Sequence, residues 1–150
     1  MLKKLLAQGL RKIFKLTPQT HIYSPPLVED EQAIELTYLG TAGFIIKNQQ
    51  RTVVLDPYLS RIGVTELLRP LHTNTALLKK YIPKADEVLI GHAHYDHILD
   101  APDLCKQTGA RLIGSRATCM VGRAAGLPES QLVETEGRED IACGAWTVRG

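Results

Sequence analysis

The chain has 150 residues, of which 44% are hydrophobic, 23% charged and 5% aromatic. This composition is typical of a soluble globular protein and excludes collagen-like, low-complexity and disordered chains. No apolar stretch of about 18 residues is free of charge, so the sequence predicts no transmembrane helix. The length suits one domain with its own core.

The formal net charge of +2 hides an uneven distribution. Residues 1–16 hold five of the 18 basic residues and none of the 16 acidic ones. The rest of the chain therefore has 13 basic and 16 acidic residues, a net charge of −3. Because this body is mildly acidic, we expect no nucleic acid among its partners.

Residues 2–16 show the pattern of an amphipathic helix. Their apolar residues recur at helical spacing, and lysines and arginines fill the positions between them. Two interpretations stay open: the helix packs on its own domain or a partner chain, or it lies on an anionic membrane surface. Residues 17–33 are predicted to be a linker. The predicted division is therefore 1–33 for helix and linker, and 34–150 for the folded domain.

The domain opens with three short strand patterns and continues with strands that alternate with helices, which predicts an α/β fold. Asp56-Pro57 ends the third strand because proline cannot extend a ladder. Asp100 and Ser115 are predicted N-caps of two helices, which Gly109 and Gly126 are predicted to end. The predicted strands are 34–39, 44–46, 52–55, 87–90, 111–114, 132–133 and 145–148, and the predicted helices are about 74–81, 101–108 and 115–125.

The three cysteines, Cys105, Cys119 and Cys143, are an odd number without the spacing of a metal site. A disulfide framework is therefore not expected, and the sequence predicts buried, reduced thiols in an intracellular protein. On this basis we expect a cytoplasmic location, with the membrane surface as the alternative if residues 2–16 bind lipid.

The segment with the clearest chemistry is residues 91–97, which read GHAHYDH. At the end of a strand, His92 and His94 would point the same way and converge on one metal ion, while Asp96 and His97 become available to a second. Imidazole and carboxylate ligands suit zinc, and also manganese or iron. Such an ion lowers the pKa of bound water to about 7 and so provides hydroxide at neutral pH. A solvated histidine-rich turn and a structural metal clip are the alternatives.

This segment resembles the HxHxDH motif of the metallo-β-lactamase fold superfamily. The flanks are similar as well: residues 36–40 resemble the opening of the first hairpin, and residues 53–57 resemble a strand that ends in an aspartate near the metal site. The resemblance implies an α+β sandwich of αββα layers, of which residues 34–150 would form the first half.

The resemblance also implies a role for each residue of the motif. His92 and His94 would bind the first metal, and Asp96 and His97 the second. Asp96 would also serve in acid–base catalysis where only one metal is bound. Asp56 would orient a ligand or the motif loop through hydrogen bonds.

The residues within and after the motif narrow the resemblance. Tyr95 and residues 98–102 resemble the corresponding residues in one branch of the superfamily. This branch contains ascorbate-6-phosphate lactonases and N-acylphosphatidylethanolamine phospholipase D-like enzymes. For Tyr95 itself two positions stay open, one facing the pocket and one packed underneath it.

Downstream of the motif the chain departs from the family pattern. The family supplies a further histidine, a bridging aspartate and a last histidine, whereas no histidine follows His97 here. His21 and His72 are expected to have ordinary surface or packing roles. Because residues 146–150 look like a strand just beginning, we expect the N-terminal part of a longer protein.

The leading hypothesis is a metal-dependent hydrolase, in which a metal-bound hydroxide attacks a phosphoester, lactone or other ester of a small molecule or lipid. Two zinc ions are expected in the intact protein, with manganese or iron as alternatives. The first rival is a truncated, non-catalytic fragment or binding module. The second is an iron-dependent redox or sulfur-transfer member of the same fold. The sequence does not predict the oligomeric state.

Overall fold

The computed structural model describes residues 33–63, 68–144 and 146–149. The predicted helix over residues 2–16 and its linker, apart from residue 33, lie outside these ranges and stay predictions, as does the division between 33 and 34. In the described ranges, no helix has both the length and the apolar character needed to cross a bilayer.

The elements follow the predicted order closely. Among the described residues, a single-turn helix over Tyr95–Ile98, a 3₁₀ turn over Glu129–Gln131 and a strand over Asp140–Cys143 were not predicted. The strands of the described residues are β1 (Glu35–Gly40), β2 (Gly43–Lys47), β3 (Thr52–Leu55), β4 (Glu87–Leu89), β5 (Arg111–Gly114), β6 (Leu132–Glu134), β7 (Asp140–Cys143) and β8 (Trp146–Arg149). The helices are α1 (Thr75–Tyr81), α2 (Tyr95–Ile98), α3 (Ala101–Thr108) and α4 (Arg116–Ala124), and a 3₁₀ turn (Glu129–Gln131) precedes β6.

Strands β1 to β6 form one mixed sheet in sequential order. The first three strands are antiparallel and are joined by tight turns, whereas β3 to β6 run parallel. Parallel neighbours need crossover connections, and α1, α3 and α4 lie in these connections. Strands β7 and β8 form a separate antiparallel hairpin. The predicted α/β class is confirmed.

A row of buried side chains crosses the parallel part of the sheet. Val54, Val88 and Leu112 are neighbours in register, and each is completely buried. They belong to one core cluster with Leu78 of α1 and Leu104 of α3. Burial of each such side chain stabilises the fold by about 1.5–3 kcal/mol. The core therefore fixes the carboxyl ends of β3 and β4 side by side, together with the loops that follow them.

The helix ends confirm most of the predicted boundary signals. Ser115 caps α4 through the N–H of Thr118, and Gly109 ends α3 in the left-handed conformation with φ 78°. Asp100 occupies the predicted N-cap position of α3, but its side chain makes no hydrogen bond to the helix. Pro102 in the first turn has no N–H to offer, and the backbone of Asp100 is helical rather than extended.

The three cysteines are free and buried, as predicted. Burial raises the pKa of Cys105 to about 12, so almost none of this thiol is ionised at about pH 8. We expect iodoacetamide to leave the folded protein unmodified and to alkylate all three thiols once guanidinium unfolds it. Mass spectrometry of the intact protein measures both states. Rapid labelling of Cys105 under native conditions would contradict the packing of α3.

Candidate metal centre

The motif begins in the loop after β4 and ends in α2, so His92 and His94 lie on the loop whereas Asp96 and His97 lie in the helix. Strand β4 ends at Leu89, and the Leu89 carbonyl accepts a hydrogen bond from the N–H of Asp56 at 2.9 Å. The chain then leaves the sheet, so His92 and His94 stand on the loop and not on alternate strand positions as expected. Their proximity comes instead from the turn into α2, whose N-cap is His94.

Three motif side chains form the metal cluster, which comprises His92, Asp96 and His97. Each offers a ligand atom, and these atoms all lie within 4.8 Å of one another. The ring centroids of His92 and His97 are 3.8 Å apart, and Oδ2 of Asp96 is 3.8 Å from Nε2 of His97. The ring of His94 stands beside the cluster, with its centroid 4.6 Å from that of His92 and its plane nearly perpendicular. All four predicted ligands therefore lie in one region, and three of them are grouped.

The metal cluster suits a divalent ion. Two imidazole nitrogens and a carboxylate oxygen are donors typical of zinc sites. Around a tetrahedral ion with bonds of about 2.1 Å, ligand atoms stand roughly 3.4 Å apart, somewhat closer than the 4.8 Å limit here. His92 is exposed and Asp96 is half-buried, which leaves one side open to solvent. The residues thus fit such an ion in donor type and nearly in spacing. Their division into two metal pairs stays a prediction.

Asp56 joins the end of β3 to the motif loop. Its side chain is 10% exposed, and its backbone has a φ of +38°, which a non-glycine residue rarely adopts. Oδ1 accepts a hydrogen bond from the N–H of Gly91 at 2.8 Å, and Oδ2 lies 3.0 Å from Nδ1 of His97. A Cβ on Gly91 would stand 3.3 Å from Oδ2, so a larger residue there would crowd the carboxylate.

The contact between Asp56 and His97 bears on which ring nitrogen of His97 is free to bind a metal ion. Nδ1 of His97 is buried and lacks a well-directed hydrogen bond, despite its short distance to the carboxylate. A small rotation of the ring would align this N–H with Oδ2 of Asp56. A proton held on Nδ1 leaves Nε2 free as a metal ligand. Nε2 is the nitrogen near Asp96.

Tyr95 faces a surface groove of about 400 Å³ that adjoins the motif. Its side chain is 42% exposed, and its ring meets that of Tyr58 edge-on, with centroids 6.1 Å apart. His72 is also exposed and lines the groove, whereas His21 is outside the described residues. No member of the metal cluster lines this groove, which is bounded by Leu71, His72, Thr73, Ala93, Tyr95, Ile98, Leu99, Pro102, Asp103, Val121 and Ala125.

Asp100 has a role that the sequence analysis missed. Its carboxylate is completely buried and accepts hydrogen bonds from the N–H groups of Leu59 and Ser60, at 2.7 and 2.8 Å, and from the Ser60 hydroxyl. Burial raises the pKa of Asp100, against the hydrogen bonds from Ser60 and Leu59, which lower it. The sequence offered only a cap-like aspartate before a helix, because its partners lie 40 residues away or more.

Tyr58 lies in the loop after β3, two residues after Asp56 and directly before Leu59, which donates to Asp100. Its hydroxyl accepts a hydrogen bond from the N–H of Ile62 at 2.8 Å. Burial raises the pKa of Tyr58, so the phenol keeps its proton at neutral pH. The residue was not predicted, since one tyrosine after Asp56-Pro57 carries no motif signal.

The mixed sheet, with a histidine and aspartate cluster beyond one of its parallel strands, agrees with the metallo-β-lactamase fold that the motif resembles. Residues 51–147 match the family model described as the beta-lactamase superfamily domain. Because this match covers more than half of the sequence, the chain belongs to the beta-lactamase superfamily. The resemblance carried by the motif is confirmed.

Two curated relatives are considerably longer than the part that this chain matches. It is 37% identical over 98 residues to a UPF0173 metal-dependent hydrolase of Anaeromyxobacter sp. (strain K), covering 65% of this chain and 32% of the relative. It is 38% identical over 111 residues to one from Thermodesulfovibrio yellowstonii, covering 70% and 38%. The chain thus spans about a third of the length of these curated relatives.

Solved structures show the same fold. Igni18, a metallo hydrolase from Ignicoccus hospitalis KIN4/I, is 26% identical with a TM-score of 0.52, covering 73% of this chain and 42% of that one. CmlA, a diiron β-hydroxylase from Streptomyces venezuelae, is 23% identical with a TM-score of 0.54, covering 80% and 23%. The second likeness concerns the fold alone.

Proposed function

We propose that the whole protein is a metal-dependent hydrolase. One observation carries the proposal: His92, Asp96 and His97 present their ligand atoms within 4.8 Å of one another at the end of β4. The curated relatives are named metal-dependent hydrolases, which supports the same class of reaction here. When bound, a divalent ion supplies Lewis-acid chemistry and lowers the pKa of a coordinated water to about 7.

In this proposal each residue of the motif has its own role in metal binding or proton transfer. His92 and His94 hold the first metal, and Asp96 and His97 hold the second. Asp96 also moves a proton through its carboxylate where one metal alone is bound. Asp56 holds the Nδ1 proton of His97 and the N–H of Gly91, and so keeps the ring and the loop in place.

Zinc is the metal we propose, with manganese and iron as alternatives. The cluster offers only nitrogen and oxygen donors. Such donors suit all three ions and do not favour a metal ion that prefers thiolate ligands. The substrate we propose is a phosphoester, lactone or other ester of a small molecule or lipid. The groove beside Tyr95 has room for part of such a molecule.

Metal removal and replacement test this function. The intact protein is stripped with a chelator, then assayed with bis(p-nitrophenyl) phosphate, p-nitrophenyl acetate and a simple lactone, before and after addition of zinc, manganese or iron(II). We expect hydrolysis of at least one substrate to disappear on stripping and to return with metal. The variants His92→Ala and Asp96→Ala should not recover, because each removes a donor of the cluster.

Other outcomes favour the rival functions. Hydrolysis that persists in a rigorously metal-free preparation rules out a metal-dependent reaction. Metal binding without turnover of any ester supports a binding module. Iron bound as purified, with redox activity and no hydrolysis, supports the redox or sulfur-transfer member.

A further inference from the structure

Two carboxylates link the loop after β3 to the motif segment in opposite directions. Asp56 reaches from the loop to Gly91 and His97, and Asp100 reaches back to residues 59–60. We call this pair the carboxylate clasp. The two linked segments, 56–60 and 91–100, contain both carboxylates and every residue of the metal cluster.

Asp100 is placed to act on the metal cluster through this clasp. It follows α2, the single turn that carries Asp96 and His97. The hydroxyl of Ser60, which donates to Asp100, also accepts a hydrogen bond from the N–H of Asn74 at 2.7 Å. The start of α1 is therefore tied to the same point, and residues 59–60 cannot shift without breaking several hydrogen bonds.

The contacts of Asp100 indicate that it positions the loop at residues 59–60 more than it stabilises α3. Burial of a carboxylate is unfavourable unless hydrogen bonds compensate, yet the Asp100 carboxylate accepts no hydrogen bond from α3. All three donors come from the loop that carries Asp56. A residue needed only to start α3 would bond to the first turn of that helix.

We propose that Asp100 is a positioning residue for the metal cluster: by holding residues 59–60, it fixes Asp56 and, through Asp56, the ring of His97. This inference rests on the proposed metal-dependent function. Asp100 is not a member of the metal cluster, and in this proposal it acts through its hydrogen bonds to residues 59–60.

Zinc affinity tests the proposal without an activity assay. The intact protein and the variants Asp100→Ala, Asp100→Asn and Ser60→Ala are titrated with zinc against a chromophoric chelator, and the visible spectrum of each cobalt(II) form is recorded. Apo stability in denaturant gives the folded fraction, to which each affinity is normalised. Lys106→Ala is the matched control, since Lys106 lies on the same helix, is exposed and stands outside both the metal cluster and the groove.

We expect Asp100→Ala to weaken zinc binding at least about tenfold and to change the cobalt spectrum. Asp100→Asn should stay within about threefold of the unaltered protein, because its oxygen can accept both backbone N–H groups and its amide can donate to Ser60. Ser60→Ala should lose roughly threefold or more, and it tests the proposal if Asp100→Ala does not fold. The control should match the unaltered protein in affinity and spectrum.

Two results would overturn the proposal. One is folded Asp100→Ala or Ser60→Ala protein that binds zinc as tightly as the unaltered protein with the same cobalt spectrum. The other is Asp100→Asn binding as weakly as Asp100→Ala, because negative charge and not hydrogen bonding would then be the cause. If the unaltered protein binds no metal at all, it is the proposed function that fails, and the two failures are thus distinguishable.

Discussion

Replacing His97 with alanine should abolish metal-dependent hydrolysis, with a loss of roughly a thousandfold or more in kcat/KM. His97 has more contacts within the site than any other residue of the metal cluster. Its ring lies against that of His92, its Nε2 faces Asp96 and its Nδ1 faces Asp56. The variant therefore loses a metal ligand and also leaves the buried carboxylate of Asp56 without its imidazole partner.

The comparison with Asp56→Asn separates ligand loss from orientation. Asparagine keeps an acceptor for the N–H of Gly91 but removes the charge beside Nδ1, so we expect a loss of about 10–100-fold in metal affinity. Lys79→Ala is the control, because Lys79 is an exposed residue of α1 that stands outside both the metal cluster and the groove. Steady-state kinetics and zinc titration measure all three. A His97→Ala protein that keeps its metal and its rate would show that this histidine is not a ligand.

Local signals predicted most of the fold because each acts within a few residues. The helix predicted over 101–108 agrees with α3 at both ends, since Pro102 and Gly109 mark its start and its stop. Ser115 likewise marked the start of α4. The apolar runs of β3, β4 and β5 were predicted for the same reason, because a strand buried on both faces is hydrophobic throughout.

The strand β7 was missed because its sequence lacks such a signal. It begins at a charged residue, contains a small alanine and is only partly buried. Within the described part of the chain it pairs only with β8. The register of this pairing follows from the turn at Gly144, which has a φ of +67°. Short hairpins of this kind are determined by pairing and packing more than by residue preference.

In the candidate site, too, the contacts between residues close in sequence could be predicted, whereas those between distant residues could not. The motif spacing predicted that His92, Asp96 and His97 lie close together after a strand, and the structure brings their ligand atoms together. The contact between Asp100 and Ser60 could not be predicted, because the two residues are 40 positions apart and neither belongs to a motif. A buried carboxylate is recognised only when its distant donors are known.

The second large effect concerns stability at the opposite end of the parallel strands. Glu87 of β4 is completely buried, and its Oε1 accepts hydrogen bonds from Arg51 at 3.2 Å and Arg111 at 3.0 Å. Its Oε2 is buried without a partner. Arg111 also donates to the carbonyl of Ala142 at 2.8 Å, which attaches β7 to the sheet.

We expect Arg111→Ala to destabilise the protein by about 3 kcal/mol. Removal of one partner of a buried ion pair generally costs about 3–5 kcal/mol, because the other charge stays buried. The lower end applies because Arg51 still pairs with Glu87 and because the side chain of Arg111 is 35% exposed. Urea unfolding measures the change, with the slope of the transition compared to confirm that both proteins unfold alike.

The double variant Glu87→Met/Arg111→Ala identifies the cause of this loss. Methionine has a similar volume without the charge, so the double variant should recover at least about half of the 3 kcal/mol if the unpaired carboxylate is responsible. Arg149→Ala in β8 is the matched control: its pair with Asp140 is short, at 2.6 Å, but both side chains are more than half exposed. Solvent screens such a pair, so its loss should change stability little. If the double variant is as unstable as Arg111→Ala alone, the loss comes from the bond to Ala142 and not from the buried charge.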